Sequence, residues 1–291
     1  MAYFDDALAA IGPNALDLME QHGMHAVIPA VAGPTKSGLF KQYFGDFKAR
    51  AAASRTGLPL HRLGSRQRQV PARAPQPRLP RSECSREPPP GPAQVFTADE
   101  LKKLSDKGHE VVMHSMTHSR HLNVFTKWGI RGEVFRGTDL MRKLTPFASF
   151  QHYVYPYGRE GRLSYVMLRD YGFKTARTVV NTGWFSGMCG IDLLRITISG
   201  PGVFRTTVKD FEWVMEAATK VGGGAVVLML HGVYPDNEID KCQWPRQPGQ
   251  ITATEFKSIV DALVKSNAQV VTVSEYLELV KQEAYCKRID L

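Results

Sequence analysis

The sequence lacks any apolar segment approaching the roughly 18–20 residues of a transmembrane helix, although 43% of its 291 residues are hydrophobic. Its first residues, MAYFDDALAA, include no basic residue and no hydrophobic signal-peptide core. We therefore expect no membrane span and, for the chain as written, a cytoplasmic protein. A secreted or cell-envelope protein is the alternative if the N-terminus is truncated.

Closely spaced cysteines are also absent. The four cysteines are widely scattered and form no C-x-x-C pair: Cys84, Cys189, Cys242 and Cys286. This distribution is typical of free thiols. It indicates neither a zinc knuckle nor a disulfide framework.

Residues 49–93 contain no aromatic residue, no lysine and only two acidic residues. They hold nine arginines and nine of the 18 prolines, so most of the +9 net charge arises there. Such a composition cannot build a hydrophobic core, and it predicts a disordered Arg/Pro-rich insert. A natural flexible insert and a gene-model or frameshift artefact both remain open. Because stacking aromatics are absent, a basic nucleic-acid arm ranks third, and we expect no nucleic-acid partner.

Outside the insert, predicted strands and helices alternate, which favours a parallel α/β fold in a single domain over residues 1–291. TADELKKLSDKGH predicts a helix that begins at Thr97, with Glu100 completing a capping box, and ends at Gly108. GRLSYVMLRDYGF predicts another helix, ending at Gly172. The predicted strands include EVVMHS, KTARTVV, AVVLMLHG and QVVTV. About seven or eight strand–helix units fit a barrel.

Polar groups fall at the ends of four predicted strands. They are Asp5–Asp6, His114 with His118, Pro156–Tyr157 and His231. Each alone has an ordinary explanation: a helix cap, a satisfied polar residue or a turn. Catalytic groups of such barrels lie at the C-terminal ends of the strands, so the joint placement indicates an active site.

The chain resembles the polysaccharide deacetylases, the NodB-homology group also known as carbohydrate esterase family four. YFDD (3–6) is similar to the family's T-F-D-D, and HSMTH (114–118) to its H-[ST]-x-x-H. YPYG (155–158) is similar to the R-x-P-Y-G region, and LMLHG (228–232) to the L-x-H motif. The helix and strand before HSMTH also follow the family pattern. The resemblance covers residues 1–48 and 94–285 and gives the insert no counterpart.

This resemblance implies a distorted (β/α) barrel with a clipped first strand. It also implies a metal-dependent hydrolase that removes N-acetyl groups from an amino-sugar polysaccharide, either chitin-like or of the peptidoglycan type. Two alternatives stay open: an amidase or O-acetyl esterase of the same fold acting on a smaller substrate, and an inactive carbohydrate-binding member.

By the same resemblance, Asp6, His114 and His118 would bind a divalent metal. Zinc is the expected ion, with cobalt, manganese and nickel as alternatives. Asp5 would act as the general base, and His231 would protonate the departing amine.

The turn and loop residues have further expected roles. The backbone N–H of Tyr157, after Pro156, would help to hold the oxyanion. Trp184 and Trp244 lie in predicted loops, where stacking on sugars and buried packing are equally open.

Three features depart from the family pattern. Ala7 stands where the family has glycine after T-F-D-D, and only four residues precede Asp5. Val154 stands where the family has the arginine that pairs with the base aspartate. Arg177, on the strand KTARTVV, is a candidate substitute, although a surface arginine is the favoured interpretation.

Overall fold

The computed structural model describes residues 1–5, 15–37, 95–120, 122, 125–148, 150–181, 192–198, 208–220, 223–236 and 249–281. Asp6, Trp184, Trp244 and the insert expected at 49–93 lie outside these ranges. None of the helices in the described part of the chain is long and apolar enough to cross a membrane.

Seven strands form one parallel sheet in the order β6-β5-β4-β3-β2-β1-β7. They are β1 (Ala2–Phe4), β2 (Val27–Ala30), β3 (Glu110–Met113), β4 (His152–Val154), β5 (Thr175–Asn181), β6 (Ile196–Ile198) and β7 (Leu228–Leu230). A second, two-stranded sheet pairs β8 (Gly232–Tyr234) with β9 (Gln250–Thr252) in parallel.

Helices follow most of these strands. They are α1 (Asp17–Gln21), α2 (Ala32–Ser37), α3 (Ala98–Asp106), α4 (Lys127–Ile130), α5 (Gly137–Leu144), α6 (Arg162–Tyr171), α7 (Val208–Lys220), α8 (Ala253–Ser266) and α9 (Val273–Lys281). A π-helical turn, Arg131–Arg136, joins α4 to α5, and short 3-10 turns span Pro156–Gly158 and Leu193–Arg195.

The main sheet is strongly curled. In a flat sheet, β1 and β5 would lie about 19 Å apart, because three strands separate them and neighbouring strands are about 4.8 Å apart. Instead, Arg177 of β5 reaches Asp5, directly after β1, with 2.5 Å between Nη2 and Oδ2. The distorted (β/α) barrel expected from the resemblance is therefore confirmed, and its first strand is three residues long.

The predicted helix ends follow from local chemistry. Thr97 and Glu100 form the expected capping box at the start of α3, and the Thr97 N–H donates to Glu100 Oε2 at 2.7 Å. Gly172 ends α6 in the left-handed conformation, with φ at 96°, which glycine adopts without a Cβ clash. Both predictions are confirmed.

Side chains that alternate along the strands belong to two apolar clusters, one on each face of the sheet. The outer cluster packs between the sheet and the helices, and the inner cluster fills the barrel with Tyr3, Val27, Val112 and Val154, among others. Helix α9 contributes Tyr276 to the inner cluster.

Helix α9 also closes one end of the barrel. The Ser274 N–H donates to Glu110 Oε2, at the start of β3, over 3.0 Å. Ser274 Oγ lies 2.9 Å from Nε2 of His152, at the start of β4. Helix α9 therefore covers the beginnings of these strands and lies at the end of the barrel opposite to the one where the strands finish.

The C-terminal region differs from the prediction in two ways. QVVTV was predicted to be a strand, but residues 268–272 form neither strand nor helix and lead into α9. Thr272 there caps the helix, accepting the Glu275 N–H at 3.3 Å. Sequence reasoning also missed β8 and β9, because three-residue strands carry too little alternation to be recognised.

Candidate active site at the strand ends

Predicted site residues lie directly after three strands of the main sheet. Asp5 follows β1, His114 follows β3 and His231 follows β7. The turn Pro156–Gly158 lies one residue beyond β4. Since the sheet is parallel, all these positions belong to the same C-terminal edge, opposite α9.

His114 is buried and fixed by two hydrogen bonds. Its backbone N–H donates to the carbonyl oxygen of Ala30 over 2.9 Å. Its Nδ1 lies 2.8 Å from the carbonyl oxygen of Val154. Because a carbonyl only accepts, Nδ1 carries the hydrogen, and in the neutral ring the lone pair is on Nε2. This is the arrangement that metal-binding histidines usually show.

The loop after His114 bends sharply, with φ at 72° for Ser115 and 54° for His118. Ser115 Oγ accepts the His118 N–H at 2.9 Å, which explains a hydroxyl residue at this position. The ring centroids of His114 and His118 are consequently only 4.8 Å apart. The four-residue spacing therefore brings the two imidazoles together through a strained loop.

A carboxylate outside the motif anchors this loop. Thr117 Oγ1 donates to Glu133 Oε1 at 2.6 Å, and the Thr117 N–H donates to Glu133 Oε2 at 3.0 Å. Glu133 lies in the π-helical turn. Sequence reasoning missed it, because a lone glutamate in a helix carries no sign of such a contact.

The residues present fit a divalent metal as far as the described chain extends. Two adjacent imidazoles, one with its tautomer fixed, are suitable ligands for such an ion. The third predicted ligand, Asp6, lies outside the described residues. Within the described ranges, no three His, Cys, Asp or Glu side chains form a cluster able to hold a metal.

The turn after β4 packs against His118. Tyr157 has φ at 55°, and its ring centroid lies 4.5 Å from that of His118. The guanidinium of Arg120 lies 5.0 Å from the centroid of the Tyr157 ring. Gly158 is also left-handed, at φ 61°, and a Cβ there would lie 2.3 Å from the Val179 nitrogen. The Y-P-Y-G turn therefore approaches Val179 of β5 too closely for a side chain at position 158.

Arg177 is not at the surface, contrary to the favoured interpretation of the sequence. Only 1% of its side chain is exposed, and its Nη2 lies 2.6 Å from Asp5 Oδ1 and 2.5 Å from Oδ2. The guanidinium also packs over the ring of Tyr3, 4.9 Å from the centroid. The carboxylate predicted to act as base is thus held by a cation from the far side of the barrel.

His231 is positioned by the start of β9. Its backbone N–H donates to the carbonyl oxygen of Gly249 over 2.8 Å. Its Nδ1 is buried and has no hydrogen-bond partner within the described part of the chain. A Cβ on Gly249 would lie 2.7 Å from this Nδ1. Gly249 was missed because neither its contact with His231 nor β9 is visible in the local sequence.

Comparison with known proteins adds three observations. The model of the polysaccharide deacetylase family matches residues 1–176. The search of curated proteins found no match. A solved peptidoglycan N-acetylglucosamine deacetylase is similar at 12% identity, with a TM-score of 0.50 over 95% of this chain and 86% of that one.

Two further solved structures are also similar to this chain. The family 4 carbohydrate esterase from Streptomyces lividans is 13% identical, with a TM-score of 0.45, over 91% of this chain and 86% of the esterase. The deacetylase PplD from Streptococcus pyogenes is 16% identical, with a TM-score of 0.43, over 68% of this chain. This chain spans 63% of the length of PplD.

Proposed function

We propose that this chain, a member of the polysaccharide deacetylase family, removes N-acetyl groups from an amino-sugar polymer. The members of this family are hydrolases of C–N bonds in acetylated sugars. Chitin-like chains and peptidoglycan glycans are the proposed substrate classes. The observation that supports this most is the pair of imidazoles, His114 and His118, whose ring centroids are 4.8 Å apart at the C-terminal edge of the barrel.

We propose Asp6, His114 and His118 as the ligands of a divalent metal, with zinc as the expected ion. The ion would polarise the acetyl carbonyl and lower the pKa of a water molecule beside it. The hydrogen bond from His114 Nδ1 to Val154 O supports this role, since it orients the ring and fixes its tautomer.

Asp5 and His231 are the proposed proton carriers. Asp5 takes a proton from the attacking water, whose oxygen forms the new bond to the acetyl carbon. His231 gives a proton to the sugar nitrogen as the C–N bond breaks, so that acetate and a free amine leave. Their positions after β1 and β7, which are neighbouring strands, support this division.

The turn after β4 is the proposed oxyanion donor. The backbone N–H of Tyr157 would stabilise the negative oxygen that develops during water attack. A donor acts best when it needs no rearrangement, and the close approach of Gly158 to Val179 supports a turn that is already packed in place. Trp184 remains a candidate for stacking on the sugar.

Acetate release provides the test. The purified chain, with zinc and with EDTA, is incubated with N-acetylglucosamine oligomers, an O-acetylated xylan oligomer and a small aryl acetamide. We expect zinc-dependent acetate release from the N-acetylated oligomers. His114→Ala should abolish it, whereas His22→Ala, at an exposed position after α1, should leave it unchanged.

The other outcomes separate the alternatives. Acetate from the xylan oligomer alone would indicate an O-acetyl esterase, and hydrolysis of the aryl acetamide alone would indicate a small-substrate amidase. Binding of N-acetylglucosamine oligomers without any acetate release, by chain that has bound zinc, would contradict the proposal and favour a carbohydrate-binding protein.

A further inference from the structure

The loop after β3 carries an arginine beside the two imidazoles. Arg120 is two residues after His118 and is partly buried. Its guanidinium lies 5.0 Å from the centroid of the Tyr157 ring, which in turn lies 4.5 Å from the centroid of the His118 ring. The three side chains therefore form one contiguous group at the C-terminal edge of the barrel. A single oligosaccharide bound at His118 would also reach Arg120.

The chemistry proposed for deacetylation gives Arg120 no part. The amide of an N-acetyl sugar is neutral, and the negative oxygen that develops during water attack is stabilised by the backbone N–H of Tyr157 in the proposed reaction. Asp5, the proposed base, has its own cation in Arg177. An arginine that lies over an aromatic ring at a substrate site is suited to binding a carboxylate, because its N–H donors match both carboxylate oxygens.

The charge around Arg120 has the same sign. Residues 114–132, which follow β3, contain three Lys or Arg residues and no acidic residue. After the β4 turn, Arg159 and Arg162 are exposed. The first acidic residue after each of three strands already has a partner: Asp5 with Arg177, Glu133 with Thr117 and Glu160 with Arg195. The described part of this edge therefore favours an anionic ligand.

We propose that Arg120 binds a carboxylate of the glycan, and that the substrate is an anionic amino-sugar polymer rather than a neutral chitin-like chain. This inference rests on the proposed function. It makes Arg120 a specificity-determining residue that touches the polymer beside the N-acetyl group. Two kinds of glycan carry a carboxylate there. One has a lactyl ether on an N-acetylated sugar, as in peptidoglycan strands, and the other has a uronic acid next to that sugar.

The test compares kcat/KM for acetate release, per N-acetyl group, from three oligomers of equal length by the zinc-loaded protein. One contains only N-acetylglucosamine, one alternates it with N-acetylmuramic acid, and one alternates it with glucuronic acid. We expect an anionic oligomer to be preferred over the neutral one by about 10-fold or more, since a hydrogen bond to a charged group contributes that much. Which anionic oligomer is preferred identifies the source of the carboxylate. Added salt should reduce the preference, because it screens the charges of this edge.

R120Q removes the charge at this position. The ratio of kcat/KM between the preferred anionic oligomer and the neutral one should fall by about 10-fold. The loss should appear mainly in KM, because the carboxylate is bound equally in the ground state and the transition state. A ratio cancels any general loss of active protein. R169Q changes an exposed arginine in the last turn of α6, at the opposite end of the barrel, and should keep the wild-type ratio.

Each alternative result is decisive. A wild type without an anionic preference, or a ratio that is unchanged in R120Q, would overturn the inference but leave the proposed function intact. If R120Q does not fold, R120K replaces it, because lysine keeps the charge but lacks the paired N–H donors. A ratio that does not fall in R120K would then overturn the inference. A zinc-loaded wild type that releases no acetate from any of the three oligomers contradicts the proposed function itself.

Discussion

Replacing Gly249 by alanine should displace His231 and slow turnover. A Cβ at this position would lie 2.7 Å from His231 Nδ1 and 3.1 Å from its backbone nitrogen. Ordinary contacts begin at 3.4 Å, so the ring or the start of β9 must move by the missing distance. The ring is the more mobile of the two, because the backbone nitrogen of His231 is tied to Gly249 O.

The expected magnitude has two parts. Gly249 has φ at +76°, and an L-residue in this region loses about 1–2 kcal/mol of stability. Displacing a proton donor by a large fraction of an ångström should lower kcat by up to about 10²-fold. The first part concerns the backbone alone, and the second concerns His231.

Gly23→Ala separates these two parts. Gly23 has φ at +65° and no atom within 4 Å of its virtual Cβ, so alanine there pays the backbone cost without any clash. Urea unfolding should show the same backbone loss of stability in both variants. Gly249→Ala should lose additional stability because its Cβ clashes with His231. Only Gly249→Ala should lose kcat. Equal kcat in the two folded variants would refute the reasoning about His231.

Three further predictions concern the metal, the base and the dependence of stability on pH. His114→Ala should lose stoichiometric zinc by elemental analysis, and retention of the ion would remove His114 from the ligand set. Asp5→Asn should keep zinc but lose about 10²–10⁴-fold in kcat. If Asp5→Asn loses the ion and Asp6→Asn keeps it, the two carboxylates are reversed. Burial lowers the pKa of His152, so the unfolded chain takes up more protons and the free energy of unfolding falls as pH drops below about 6.5. His152→Gln should reduce this loss in urea titrations between about pH 7.5 and 5.5, whereas the exposed His22→Gln should not.

Features that depend on neighbours in the sequence were predictable. The Thr97–Glu100 capping box and the glycine end of α6 involve contacts three or four residues apart, so the residue types nearly determine the structure. The alternation of strands and helices likewise predicted a parallel sheet. The strand ends then indicated that Asp5, His114 and His231 would lie at the same end of the sheet.

Contacts between distant strands were not predictable in this way. Arg177 and Asp5 are 172 positions apart, and an arginine on a strand carries no local sign that it faces the interior. Its strand partner Val154 shows the apolar character that an interior position normally has. The partnership of Thr117 with Glu133 depends similarly on how the loop folds over the π-helical turn.

The turns of the candidate site carry backbone strain. Among the described non-glycine residues, five have positive φ, and three of these lie in the two turns of the candidate site: Ser115, His118 and Tyr157. Each such residue is destabilising by about 1–2 kcal/mol.

At the opposite end of the barrel, α9 closes it through hydrogen bonds of Ser274 to Glu110 and His152. Strain of this kind persists only where surrounding contacts enforce it, and it is concentrated at functional sites. The stability that α9 and the inner cluster supply therefore sustains the strained turns at the edge where His114, His118 and Tyr157 are brought together.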